Sequence, residues 1–323
     1  MRRHDEILPA GHPAAISRAA HRTGKTSRVL AVASFFLAGT VLGLLVPRSR
    51  GLAGPAGRWV ITAALPALIL VRLPELDLGR GAAVPVVSAW ATITVGAAAV
   101  WAVSRRAGWP AEVTGALLMV VPLGNTAFLG LPVVEAVLGR DHLPAALAFD
   151  QVGTFLALAT YGTWVSGRIG SGGGDARAML RRLLAFPPFL ALVGSLVFRV
   201  VDMPGAVHDV LVPLGRTVAP VAMWSLGLRF VPRMRIAWPS ALVFGIAVKM
   251  VIMPALVAAA AVVLGDPAGT VWAASIVEAS MPPMVTAGVI GVAAGFDEDL
   301  TANLVATGTV LALVLYAVVS LLG

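Results

Sequence analysis

Ten apolar runs follow one another through residues 28–321 of this 323-residue chain. They cover 28–46, 53–73, 83–103, 113–139, 145–165, 183–201, 207–230, 237–264, 268–294 and 299–321. A helix of about 20 apolar residues matches the hydrocarbon thickness of a bilayer, and a water-soluble domain has no use for ten of them. The chain is therefore predicted to be an all-α integral membrane protein. Composition agrees: 58% of residues are hydrophobic, only 12% are charged, and the mean hydropathy is +0.89. Soluble domains carry about a quarter charged residues. Disordered chains, nucleic-acid modules and ordinary soluble enzymes are thereby excluded. The net charge of +8 is assigned to loops at a membrane surface, with no nucleic-acid partner expected. Cysteine is absent, which removes disulfides, thiolate chemistry and cysteine metal sites.

The connections between runs are short and rich in helix breakers, as in Pro47-Arg48-Ser49-Arg50-Gly51 and Gly265-Asp266-Pro267. Residues 1–27 are polar and basic, without the periodicity of a packed element, and read as a flexible tail. Residues 166–182 include Ser171-Gly172-Gly173-Gly174 and read as a linker between halves. The expected organisation is thus a tail (1–27), a first five-helix repeat (28–165), a linker (166–182) and a second repeat (183–323). Matched landmarks support two copies. Gly39 and Gly194, Pro66 and Pro220, Asn125 and Ser280, and Gly139 and Gly295 are each separated by 154–156 residues. Five spans per copy is an odd number, so the copies must be inverted relative to each other. The loops after runs 1, 3, 5 and 7 hold twelve arginines, against four after runs 2, 4 and 6. The positive-inside rule then places the linker in the cytoplasm and both termini outside. The basic tail argues for the reverse; the distributed loop pattern is given more weight.

Two runs carry breakers at corresponding places. In the fourth, Val121-Pro122-Leu123-Gly124-Asn125-Thr126-Ala127-Phe128-Leu129-Gly130-Leu131-Pro132 puts two prolines and two glycines inside an apolar span. In the ninth, Ser280-Met281-Pro282-Pro283-Met284-Val285-Thr286 repeats the device. Proline removes a backbone donor and clashes with the preceding turn, so both helices should open there. Open backbone at membrane depth survives only where protein or water satisfies it. Gly124, Gly130, Pro132, Pro282 and Pro283 are the expected break residues. Asn125, Thr126, Ser280 and Gln151 are the expected substrate-binding side chains. Half-helix N-termini at the breaks present unpaired N–H groups and positive dipole ends, which suit an anion. A pair of purely structural kinks is the bland alternative.

The run from Gly124 to Pro132 resembles the G-N-x-G-x-L-G-L-P signature of the auxin efflux carrier family, with Ala127 in place of the usual glycine. Leu65-Pro66-Ala67-Leu68, Pro220 with Gly227, Lys249 with Pro254, and Met281-Pro282 are similar to further family positions. The resemblance covers about residues 28–323. It implies ten transmembrane helices in two inverted five-helix repeats, with broken, crossing helices 4 and 9 at the site. It also implies a scaffold of spans 1, 2, 6 and 7 with a homodimer face, and a mobile part of spans 3–5 and 8–10. Family members carry small organic anions such as auxin, malate and malonate, and the fold is related to that of bile-acid/sodium symporters. The resemblance therefore implies a non-enzymatic secondary transporter of the cytoplasmic membrane; a sodium-coupled symporter or a channel of the same fold are the competitors.

Charged residues inside apolar runs are expensive and need a cavity or a partner. Asp150, Lys249 and Glu278 are the candidates for proton coupling or charge balance, with structural salt bridges as the alternative. Arg216 is read as snorkelling to the interface, and Glu135 as a gate or a solvated face. Asp141 and Asp297 follow glycines ahead of new helices and read as N-caps. No H-E-x-x-H, G-x-S-x-G or P-loop pattern is present, so no catalytic residue, cofactor or metal is expected.

Overall fold

In the computed structural model the described residues are 13–76, 83–170, 181, 184–230, 238–264 and 269–322, and their regular elements are all helices, with no strand among them. Twelve helices organise them. They are α1 (Pro13–Leu45), α2 (Pro47–Glu75), α3 (Val84–Ala107), α4 (Ala111–Val120), α5 (Thr126–Val137) and α6 (Arg140–Ile169). The second half supplies α7 (Pro187–Val197), α8 (Gly205–Arg229), α9 (Pro239–Leu264), α10 (Thr270–Ala279), α11 (Val285–Ala293) and α12 (Glu298–Leu322). Seven of these, α1, α2, α3, α6, α8, α9 and α12, are long and apolar enough to cross a membrane. The protein is a multi-pass membrane protein. The fourth and ninth apolar runs are interrupted, giving α4/α5 and α10/α11, and the sixth is the short α7.

The first helix starts at Pro13 rather than at residue 28, so the described part of the expected tail continues α1 beyond its apolar stretch. Most of the expected linker, 171–180 and 182, lies outside the described residues, and α6 already reaches Ile169.

Prolines inside long helices are accommodated by a recurring device. A π turn ends two residues before each of three of them: Val60–Ala64 before Pro66, Thr126–Gly130 before Pro132, and Val248–Ile252 before Pro254. Widening the preceding turn by one residue moves a carbonyl away from the proline ring and tolerates the missing donor. Lys249 and Thr126 both sit in such turns.

The two halves interlock. A Cβ on Gly39 of α1 would overlap the Trp224 carbonyl of α8, and one on Gly227 of α8 would overlap the Phe36 carbonyl of α1. Backbones thus touch directly, which is how helices gain packing energy in lipid. A Cβ on Gly215 of α8 would lie 3.2 Å from the Leu68 backbone of α2. Large apolar side chains such as Leu37, Val41, Val262 and Val263 point outward, as a lipid-facing surface requires.

Gly139 and Gly295 both adopt positive φ, 101° and 91°, where a β-carbon is strained. Asp297 caps α12, accepting the Leu300 N–H at 2.7 Å, while its other oxygen accepts the Trp238 indole N–H at 3.1 Å. Asp141 differs from its expected role. It lies in a 3-10 turn whose flanking cap positions carry no side-chain cap bond.

Candidate functional site

The two interruptions meet. The Asn125 N–H donates to the Pro282 carbonyl at 2.8 Å, and the Met284 N–H donates to the Leu123 carbonyl at 2.9 Å. Gly124 and Pro283 form an antiparallel bridge. Each break therefore supplies the hydrogen-bond partners that the other has lost, which resolves the problem of irregular backbone at membrane depth. Pro122, Gly124, Pro282 and Pro283 lie in the opened stretches. Pro132 does not. It lies inside α5 behind the π turn Thr126–Gly130, so Pro122 is the proline of the first break.

Beside this crossing is a cavity of about 280 Å³. Asn125, Ala127 and Phe128 line it from the first break and α5, Met284, Thr286 and Ile290 from the second break and α11. Asp150, Gln151, Phe155, Leu158 and Ala159 come from α6, and Ile61 and Leu65 from α2. Phe186 closes it, stacked on Phe155 with ring centroids 4.5 Å apart. Small-molecule pockets have this character: mostly apolar walls and a few convergent polar groups.

Those polar groups are buried and unevenly satisfied. Thr126 donates its hydroxyl to the Asp150 carboxylate, and Gln151 Nε2 donates to the other Asp150 oxygen at 2.6 Å. Asp150 is thus held on both oxygens. Among the described residues Asn125 Nδ2 and Gln151 Oε1 have no partner, one donor and one acceptor beside the same cavity. Buried amide groups are rarely left so, and a ligand able to fill both is the simplest complement. The helices α5 and α11 begin at this point, so their first N–H groups lack intrahelical acceptors and add positive potential.

Behind the crossing lie Lys249 and Glu278, both essentially inaccessible. Lys249 Nζ donates to the Ala279 carbonyl at 3.1 Å, at the C-terminal end of α10, where a cation is favoured. A Cβ on Gly124 would lie 3.0 Å from the same Nζ, so one ammonium touches both breaks. Among the described residues the Glu278 carboxylate has no hydrogen-bond partner on either oxygen, and it rests against Gly130; a Cβ there would lie 2.7 Å from its Cδ. No ion pair joins Lys249 to Asp150 or Glu278 among the described residues.

Ser280 departs from its expected place. Its hydroxyl donates to the Val277 carbonyl at 2.7 Å and shares a 2.5 Å hydrogen bond with the Tyr316 hydroxyl of α12, away from the cavity. Thr286 lines the cavity instead. Phe155, Phe186 and Tyr316 were not singled out by sequence, although a tyrosine within an apolar run signals a hydroxyl needing a partner. Among the described residues no group of His, Asp and Glu could hold a metal ion.

A family model described as membrane transport protein matches residues 29–168 and 176–320. The chain is 30% identical over 300 residues to an uncharacterized transporter of Methanothermobacter thermautotrophicus, covering 90% of this chain and 96% of that protein. It is 33% identical over 127 residues to an uncharacterized transporter of Methanocaldococcus jannaschii, covering 38% of this chain and 40% of that one.

Proposed function

The chain belongs to the membrane transport protein family, that of the auxin efflux carriers, and we propose that it moves a small carboxylate across the cytoplasmic membrane by alternating access. The observation that carries this reading is the mutual hydrogen bonding of the two breaks beside a cavity that holds an unpartnered Asn125 amide. Asn125 Nδ2 and the free N–H groups of α5 and α11 receive the carboxylate, Gln151 Oε1 accepts a donor elsewhere on the substrate, and Thr126 fixes Asp150. The apolar walls, including Phe128 and Phe155, take the body of the molecule.

The proposal includes two inverted copies, 28–165 and 183–323, giving ten spans with the linker in the cytoplasm and both termini outside. The equal spacing of the breaks supports it, as does their meeting at one point. The protein acts as a carrier rather than an enzyme. Coupling is to protons. An anion in the cavity beside Asp150, with Glu278 behind the crossing, meets repulsion from both carboxylates, against the attraction of Lys249 and the half-helix N-termini. A proton on Glu278 removes one source of repulsion, so anion and proton bind together.

Proteoliposome counterflow tests the reading. Carboxylate preloaded inside should accelerate uptake of the labelled compound, and an inward proton gradient should drive accumulation. Flux without counterflow would indicate a channel. Dependence on sodium with indifference to pH would indicate a symporter of the bile-acid type.

A further inference from the structure

Along α2, α5 and α6 alike, the cavity residues give way within a few turns to a second, much smaller space. Ile61 and Leu65 are followed on α2 by Leu68 and Arg72, Phe128 on α5 by Glu135, and Asp150 on α6 is preceded by Arg140 and Leu143. This crevice holds only about 20 Å³, and α8 lines it with Leu211, Val212, Gly215 and Arg216.

Its charges are sorted by side. Arg72 pairs with Glu75 within α2 at 2.9 Å, and Arg140 pairs with Glu135, between the start of α6 and α5, at 2.7 Å. Among the described residues no ion pair crosses from α2 or α8 to α5 or α6, so sliding these pairs of helices past each other breaks none. Of the charged residues that line the crevice, Arg72, Glu135, Arg140 and Arg216, only the exposed Arg216 forms no ion pair among the described residues.

Spacing relates the two spaces. Arg216 lies 155 residues after Ile61, and Ile290 lies 155 residues after Glu135, the separation of Asn125 and Ser280. Ile61 and Ile290 line the cavity, while Arg216 and Glu135 line the crevice. In an inverted repeat, such counterparts form the two half-paths on opposite faces of the membrane. We infer that the crevice is the second half-path in its closed form, and that Arg216 is a binding site for the substrate carboxylate at that face. A guanidinium fork matches a carboxylate in two parallel hydrogen bonds. The inference rests on the inverted carboxylate carrier proposed above.

The test is sided transport in proteoliposomes of one orientation, with KM measured separately from each face. Arg216→Gln should raise KM at the Arg140 face about tenfold or more and leave the other face within about twofold. Arg216→Lys should fall between. Glu135→Gln, which frees Arg140, should lower KM at the same face, so an opposite sign is available should Arg216→Gln fold poorly. The wild-type chain has no cysteine, so Val212→Cys reports the crevice without background. An impermeant maleimide applied at the Arg140 face should label it faster during turnover. Equal KM changes at both faces, or none, would overturn the site. So would an effect confined to vesicles containing anionic lipid, since Arg216 would then hold a headgroup. If the wild type carries no carboxylate but Val212→Cys still opens, the carboxylate reading fails while the half-path stands.

Discussion

Lys249→Met is expected to lower the stability of the purified protein by about 3–5 kcal/mol and to abolish transport. The ammonium is buried, is bonded to the last carbonyl of α10, and lies against Gly124 of the other break. Methionine matches its length but leaves the Ala279 carbonyl without its donor. It also leaves two buried carboxylates, Asp150 and Glu278, with no cation among them. The penalty is that of uncompensated charge rather than lost packing. A second substitution that neutralises one carboxylate should therefore recover much of the loss. The order of thermal unfolding in detergent should be wild type, then Lys249→Met with Glu278→Gln, then Lys249→Met alone. A single variant as stable as wild type would mean that the ammonium plays no part in holding the crossing.

Gly130→Ala should cost about 1–3 kcal/mol and remove transport, a large effect for one methyl group. The added carbon would overlap the Glu278 carboxylate, and Glu278 is enclosed with no room to retreat. The same substitution on a Glu278→Ala background should cost markedly less, because the obstructing atoms are gone. A double-mutant cycle on unfolding temperature measures this coupling. Additive effects would show that Gly130 and Glu278 do not press on each other.

The breaks were legible in the sequence because proline and glycine act locally: a missing donor at Pro122 or Pro282-Pro283 opens a helix whatever surrounds it. That they would cross was implied by the family resemblance, not by the breaks themselves. The local rule failed at Pro132, where a π turn absorbs the proline and α5 continues. The buried polar cluster was legible for a similar reason, since Asp150, Lys249 and Glu278 stand out in apolar runs. What each touches was not. The partnership of Ser280 with Tyr316 joins residues 36 apart in sequence, and no periodicity encodes it. The apolar half of the cavity, from Ile61 and Leu65 to Phe186, was equally hidden, because any apolar helix face reads alike until its neighbour is known. Helix α1 runs past its apolar stretch because a helix outside the bilayer needs no hydrophobic periodicity to continue from one inside.

The central claim is that a carboxylate binds where the two interrupted helices pair. Thermal unfolding of the purified protein against a panel of mono- and dicarboxylates tests it most directly, with Asn125→Ala beside the wild type. At a hundredfold excess over Kd, a ligand specific for the folded state stabilises by about 2.7 kcal/mol, a shift readily measured. At least one carboxylate should raise the unfolding temperature of the wild type and leave Asn125→Ala unmoved. An equal shift in both proteins would place the anion elsewhere and contradict the account.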